Sequence, residues 1–228
     1  RASNEIEKSL LYLNKVIELD ANYAEAFINR GIIKNLQKDK PGALSDLEKA
    51  FNLKPHIKQI WDLIISLRLE AKQFHETIPM LTEMIKIDPN NEKSFKFLSF
   101  CIQNLDDYNL AIKSFNSVLE LVPNHFLTLI DLAMILQKKG DRESAIAVLK
   151  KAIKIKPNYA EAHYNLGVAF QENGLLPKAI ESYEKAIINK PNFAIAYCNM
   201  GIALKETGDA DSAIESFKKA IKIKSDFP

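Results

Sequence analysis

Cysteine is nearly absent: Cys101 and Cys198 are the only two. That excludes a disulfide-dense scaffold and any Cys-x-x-Cys metal or redox motif. Seven glycines leave no Gly-rich phosphate loop, and no nucleophile elbow occurs. Charge of one sign is lacking too. With 31 basic against 29 acidic residues the net charge is +2, too little for the electrostatic footprint of a nucleic-acid or anionic-membrane binder. No apolar run approaches the ~18 residues of a membrane span, and no signal peptide is visible. The four histidines, His56, His75, His125 and His163, neither cluster nor show metal-ligand spacing. No catalytic residue, metal or cofactor is therefore expected, and the protein does not read as an enzyme.

What the sequence does have is proline in strict register. Pro55, Pro89, Pro123, Pro157 and Pro191 recur every 34 residues, and the next step lands on Ser225. A fixed period of this size marks a solenoid, in which each repeat is one supersecondary unit stacked on its neighbours. With the proline at position 32, the repeats run 24–57, 58–91, 92–125, 126–159, 160–193 and 194–227, with a partial repeat at 1–21. Cys101 and Cys198 then lie three repeats apart, where neighbours-only contact keeps them separate. Free thiols suit a reducing compartment, so a cytoplasmic location is the expectation.

Small residues recur at position 8 (Gly31, Ile65, Ser99, Ala133, Gly167, Gly201) and position 20 (Ala43, Thr77, Ala111, Ala145, Ala179, Ala213). They let two helices approach closely. Large apolar residues fill position 24 (Leu47, Leu81, Phe115, Leu149, Tyr183, Phe217), on the stripe of a 3.6-residue helix. Positions 4, 7, 8 and 11 make the matching stripe on a first helix, which puts His163 in the core. Gly140-Asp141, Asn173-Gly174 and Gly208-Asp209 mark the turn between the two helices, and Asp106-Asp107 falls at the same turn. Pro41 and Pro177 suit the start of the second helix, and the position-32 proline its end. Each repeat is predicted to be two antiparallel helices of about 14 residues. Pro79, inside the second helix of repeat 58–91, is expected to loosen it. Lysines at 54, 58, 150, 151, 154, 156, 218, 219, 222 and 224 read as a solvated outer face interleaved with Glu.

The segment AEAHYNLGVAFQENGLLPKAIESYEKAIINKPN, residues 160–192, resembles the tetratricopeptide repeat consensus, and the resemblance extends over essentially the whole chain. Repeats 58–91 and 92–125 depart from it, with Ile65 and Thr77 in place of small residues and Phe97 in place of a polar one. The resemblance implies an all-α, right-handed superhelical solenoid of antiparallel helix pairs, whose first helices line a concave groove at positions 2, 5, 6, 9, 12 and 13. It implies a non-catalytic scaffold that binds a partner protein or extended peptide there. The residues it points to are Asn29, Leu63, Phe97, Asp131, Asn165 and Asn199 at position 6, with Phe100 and Met134 at position 9.

Asparagine at position 6 offers a donor and an acceptor to a peptide backbone whatever its side chains. The pattern resembles the asparagine ladder of O-linked N-acetylglucosamine transferase, broken here at Leu63, Phe97 and Asp131. Leu63, Phe97, Phe100 and Met134 make the middle of the groove apolar, as interaction sites are. The resemblance does not extend to co-chaperones that grip a terminal carboxylate, since the only position-2 lysine, Lys93, sits beside Phe97. Two other roles fit the same repeats: the substrate-presenting region of a larger enzyme, such as a glycosyltransferase or sulfotransferase, and a self-assembling array. Both ends fall inside a repeat, so the chain is expected to be a segment of a longer protein. Residues 225–228 read as the lead into another first helix, and end-to-end self-association is expected.

Overall fold

The computed structural model describes residues 2–225. These form two compact blocks that divide between Leu105 and Asp106. Among the described residues every regular element is helical. The N-terminal block holds α1 (Ala2–Leu19), α2 (Ala24–Leu36), α3 (Lys40–Leu53), a 3₁₀ turn η1 (Lys58–Ile60), α4 (Trp61–Glu70), α5 (Phe74–Ile87) and α6 (Glu92–Gln103). The C-terminal block holds α7 (Tyr108–Leu121), α8 (Phe126–Lys139), α9 (Arg142–Ile155), α10 (Ala160–Glu172), α11 (Leu176–Asn189), α12 (Ala194–Glu206) and α13 (Ala210–Ser225). Within each block consecutive helices pack as neighbours, the pattern of an α–α solenoid. The expected lead into a further first helix lies, from Asp226 onward, outside the described residues.

The register proline sits two residues beyond α3, α5, α7, α9 and α11 in turn, where it cannot continue the helix. It has a second use. In the repeat beginning at Ala160, His163 Nε2 lies 2.7 Å from the Pro157 carbonyl oxygen. In the repeat beginning at Lys58, Trp61 Nε1 donates to the Pro55 carbonyl at 2.9 Å. A ring nitrogen at position 4 thus fastens each of these first helices to the proline before it. His163 is accordingly a satisfied core residue, as its position implied.

The small positions act as expected. A Cβ added to Gly167 would lie 2.5 Å from Tyr183 Cε1, and one on Gly31 would lie 2.8 Å from Leu47 Cγ. Tyr183 and Leu47 are fully buried against these bare backbones. The turn between the helices also follows one design. In five repeats the residue at position 15 takes a left-handed conformation: Gly140, Gly174 and Gly208 (φ 88°, 71° and 90°), but Lys38 and Lys72 (φ 65° and 56°). In each, the next N–H bonds back to the carbonyl at position 11, as Asp141 N to Leu136 O and Gln73 N to Arg68 O do, both at 2.9 Å. Asp39, Asp107, Asp141 and Asp209 then cap the second helix with their carboxylates.

Repeat 58–91 departs from the expected pair of 14-residue helices. Its first helix begins as the 3₁₀ turn η1, and α4 has only 10 residues. Pro79 is the sixth residue of α5.

Candidate binding face

In the C-terminal block α10 approaches both α8 and α12, so these three first helices lie side by side as one wall. Cross-helix hydrogen bonds stitch the block. Gln137 Nε2 on α8 donates to the Asn165 carbonyl on α10 at 3.3 Å. Asn199 Nδ2 on α12 donates to the Tyr164 hydroxyl on α10 at 3.1 Å. The buried Tyr183 hydroxyl donates to Gln171 Oε1 at 2.8 Å, joining α11 to α10. Burial pushes both tyrosine hydroxyls above the ordinary phenol range, so both stay protonated, Tyr183 donating to Gln171 and Tyr164 accepting from Asn199.

The eight sequence-derived site residues divide between the blocks. Asp131, Met134, Asn165 and Asn199 lie on α8, α10 and α12. Met134 is exposed and the other three are half-buried. The two asparagines differ. Asn199 has already committed an amide proton to Tyr164. The Asn165 side-chain amide has no hydrogen-bond partner among the described residues; only its backbone carbonyl is engaged. Around them Leu127, Met134, Ile195 and Ile202 are all at least 36% exposed, so the wall alternates apolar side chains with amides. Asp131 acts on its surroundings: with burial and the Glu161 charge, it helps hold the Tyr159 hydroxyl above its ordinary range.

In the N-terminal block Asn29 is exposed on α2, Leu63 is half-buried on α4, and Phe97 is half-buried on α6. Phe100, 48% exposed, packs edge-on against Phe74 at the start of α5, ring centroids 6.0 Å apart. Lys93 on α6 pairs with Asp62 on α4 at 2.6 Å, so the position-2 lysine is an inter-helix tie.

Position 2 behaves likewise where it is acidic. Glu25 pairs with Lys54, and Glu161 with Lys190, both at 2.7 Å. Burial alone would raise the Glu161 carboxyl, but the Lys190 hydrogen bond and charge more than offset it and hold the group below the ordinary range. Sequence reasoning placed positions 5 and 12 on the wall but did not single out Tyr164 and Gln137 or their bonds to the next repeat. The available signal was a polar residue at position 5 or 12 facing the position-6 asparagine of the following repeat.

Both cysteines are free thiols. Cys101 is buried, which pushes its thiol up to about 11. Cys198, with Ala194, Ile195, Ala220 and Ile221, lines an apolar cleft of about 340 Å³ on α12 and α13. Among the described residues no group of His, Cys, Asp and Glu could hold a metal ion, and no helix is long and apolar enough to cross a membrane.

Comparison with known proteins places these helices in context. The family model described as TPR repeat matches residues 133–174, and the model described as tetratricopeptide repeat matches 160–193 and 194–227. A crystal structure of MamA is 30% identical, covering 72% of this chain and 95% of that one at a TM-score of 0.63. MamA from Desulfovibrio magneticus RS-1, residue 41 to its end, is 26% identical, covering 74% and 96% at a TM-score of 0.63. YrrB, described as a TPR protein with an unusual peptide-binding site, is 20% identical over 94% of this chain and 93% of its own, at a TM-score of 0.50. At that identity the likeness is one of fold. A comparison with curated protein sequences found no match.

Proposed function

The chain belongs to the tetratricopeptide repeat family, and from that premise we propose that it is a non-catalytic scaffold holding an extended segment of a partner protein against its first helices. The observation that carries this reading is the Asn165 amide. It is half-buried, unpartnered among the described residues, and flanked on α8 and α12 by the exposed Met134 and Ile202. A half-buried amide with both donor and acceptor unspent is what a peptide backbone can satisfy. The apolar neighbours supply burial for alternate side chains of an extended strand. Asn199 contributes its acceptor oxygen and its second amide proton, because the first is held by Tyr164. In the N-terminal block Phe97 and Phe100 on α6 supply the aromatic surface that anchors at interfaces favour.

The test is affinity capture with the full chain, identification of what is bound by peptide mapping, then titration of that partner against variants. Asn165→Ala and Phe97→Ala should each weaken binding by roughly 1–3 kcal/mol. Partner affinity left unchanged by both would show that the first helices do not carry recognition.

A further inference from the structure

The groove between α9 and α11 is lined by His163, Leu166 and Phe170 of α10, which lie on a different face of that helix from Tyr164 and Asn165. It is a cleft of about 360 Å³. Its floor is Ile153, Leu166 and Phe170, and its rim carries Lys150, Lys154, Lys178 and Lys185. Lys150 and Lys178 reach in from opposite sides over the same ring, their Nζ atoms 5.8 Å and 5.9 Å from the Phe170 centroid. Lys185 is neutralised by Glu181 at 2.6 Å. Among the described residues Lys150, Lys154 and Lys178 have no carboxylate within ion-pair distance. Three uncompensated cations thus surround an apolar floor, where the sequence pattern implied a solvated face interleaved with Glu.

The repeat supplies an internal control. Shifted forward by one 34-residue period, the positions of Lys150, Lys154, Lys178 and Lys185 hold Glu184, Ile188, Ser212 and Lys219. Shifted back, they hold Asn116, Glu120, Ser144 and Lys151. Over the whole chain the Lys185 position is also lysine at Lys49, Lys151 and Lys219, the Lys150 position recurs as Lys218, and the Lys154 position as Lys86 and Lys222. Lys178 has no counterpart, and no other junction combines all four lysines, so helix-pair packing does not call for the set.

We propose that this cleft is a second binding site, separate from the first-helix wall, for an acidic peptide segment of a partner protein bearing one apolar anchor residue. The anchor enters onto Phe170, Leu166 and Ile153. Acidic residues on either side of it meet Lys150, Lys154 and Lys178, whose charges no neighbouring carboxylate cancels. The cleft volume, near the lower end for ligand pockets, suits a side-chain anchor rather than a whole helix. Charge on the rim and apolar surface at the centre is the arrangement that gives an interface both encounter rate and affinity.

The probe is a fluorescein-labelled octapeptide with a Leu-Phe pair between two runs of three acidic residues, titrated against the full chain by anisotropy. Saturable binding is expected, weakened roughly tenfold by Lys150→Glu with Lys178→Glu. Lys219→Glu, in the neighbouring junction, should change it less than about twofold. Circular dichroism confirms that each variant is folded. Replacing the Leu-Phe pair by two serines should remove saturable binding. The proposal is overturned if the peptide does not saturate or if the double lysine variant binds as well as the parent. It is equally overturned if the serine peptide binds as tightly, which would leave only diffuse charge attraction. Displacement of bound peptide by phosphatidylserine vesicles but not by excess unlabelled peptide would likewise overturn it in favour of a membrane surface.

Discussion

The helix pairs α10/α11 and α4/α5 occupy the same places in their repeats, and they pack differently. In α10/α11 the bare backbone at Gly167 lets the Tyr183 ring lie flush on the first helix, with Ala179 and Ala186 beside it, all fully buried. The two helices approach each other along their length. In α4/α5 the corresponding residues are Ile65, Leu81, Thr77 and Met84, equally buried but larger where the others are small. There α4 and α5 approach at far fewer points. Equal burial with unequal closeness shows that the two pairs reach dry cores by different routes, one through backbone contact and one through side-chain bulk. The second route carries local costs. Pro79 removes a donor from α5, Lys72 holds a left-handed turn that glycine holds in three other repeats, and the 3₁₀ turn shortens α4.

The largest effect should come from forcing one route onto the other. Gly167→Leu drives a side chain into the Tyr183 ring and should cost about 3 kcal/mol in urea unfolding of the C-terminal block. Ile65→Val at the equivalent position of the N-terminal block should cost only about 1 kcal/mol, because that site is built for bulk. Equal costs would mean that the closeness of α10 and α11 has no energetic weight.

A smaller effect should come from mending α5. Pro79→Ala restores the backbone donor toward the His75 carbonyl and should add about 1–2 kcal/mol to the N-terminal block. In the parent protein, amides of α5 should exchange with solvent faster than those of α11. Equal protection would place the weakness elsewhere. The smallest is at the turn. Lys72→Gly should stabilise by about 0.5 kcal/mol, the relief of a left-handed non-glycine residue less the entropy glycine loses on folding. Gly174→Lys should destabilise α10/α11 by a similar amount. A change of the opposite sign at either position would separate the two turns in spite of their shared hydrogen bonds.

Much of the fold was legible because its determinants are single residues at fixed intervals. The proline register, the glycine at position 8 and the alanine at position 20 each announce a steric requirement in the residue itself. Lys38 and Lys72 announce nothing: lysine has no left-handed signature, and only its place in the period links it to Gly140, Gly174 and Gly208. The site was less legible because it depends on pairs. That Asn165 keeps its side-chain amide while Asn199 spends a donor on Tyr164 depends on a residue in the preceding repeat. The lysines at 150 and 154 were visible, but that they meet Lys178 around Phe170 depends on packing between helices from two repeats.

The bond from a position-4 ring nitrogen to the register proline spans six residues, from Pro157 to His163 and from Pro55 to Trp61. At these two seams one helix pair is tied to the next by groups that are almost adjacent along the chain. Such a seam demands little loop closure, so assembly can nucleate wherever a pair first condenses and spread outward at low contact order. Residues 126–193, with flush packing at Tyr183, are the natural seed, and the stretch around Pro79 the natural place for that spreading to pause.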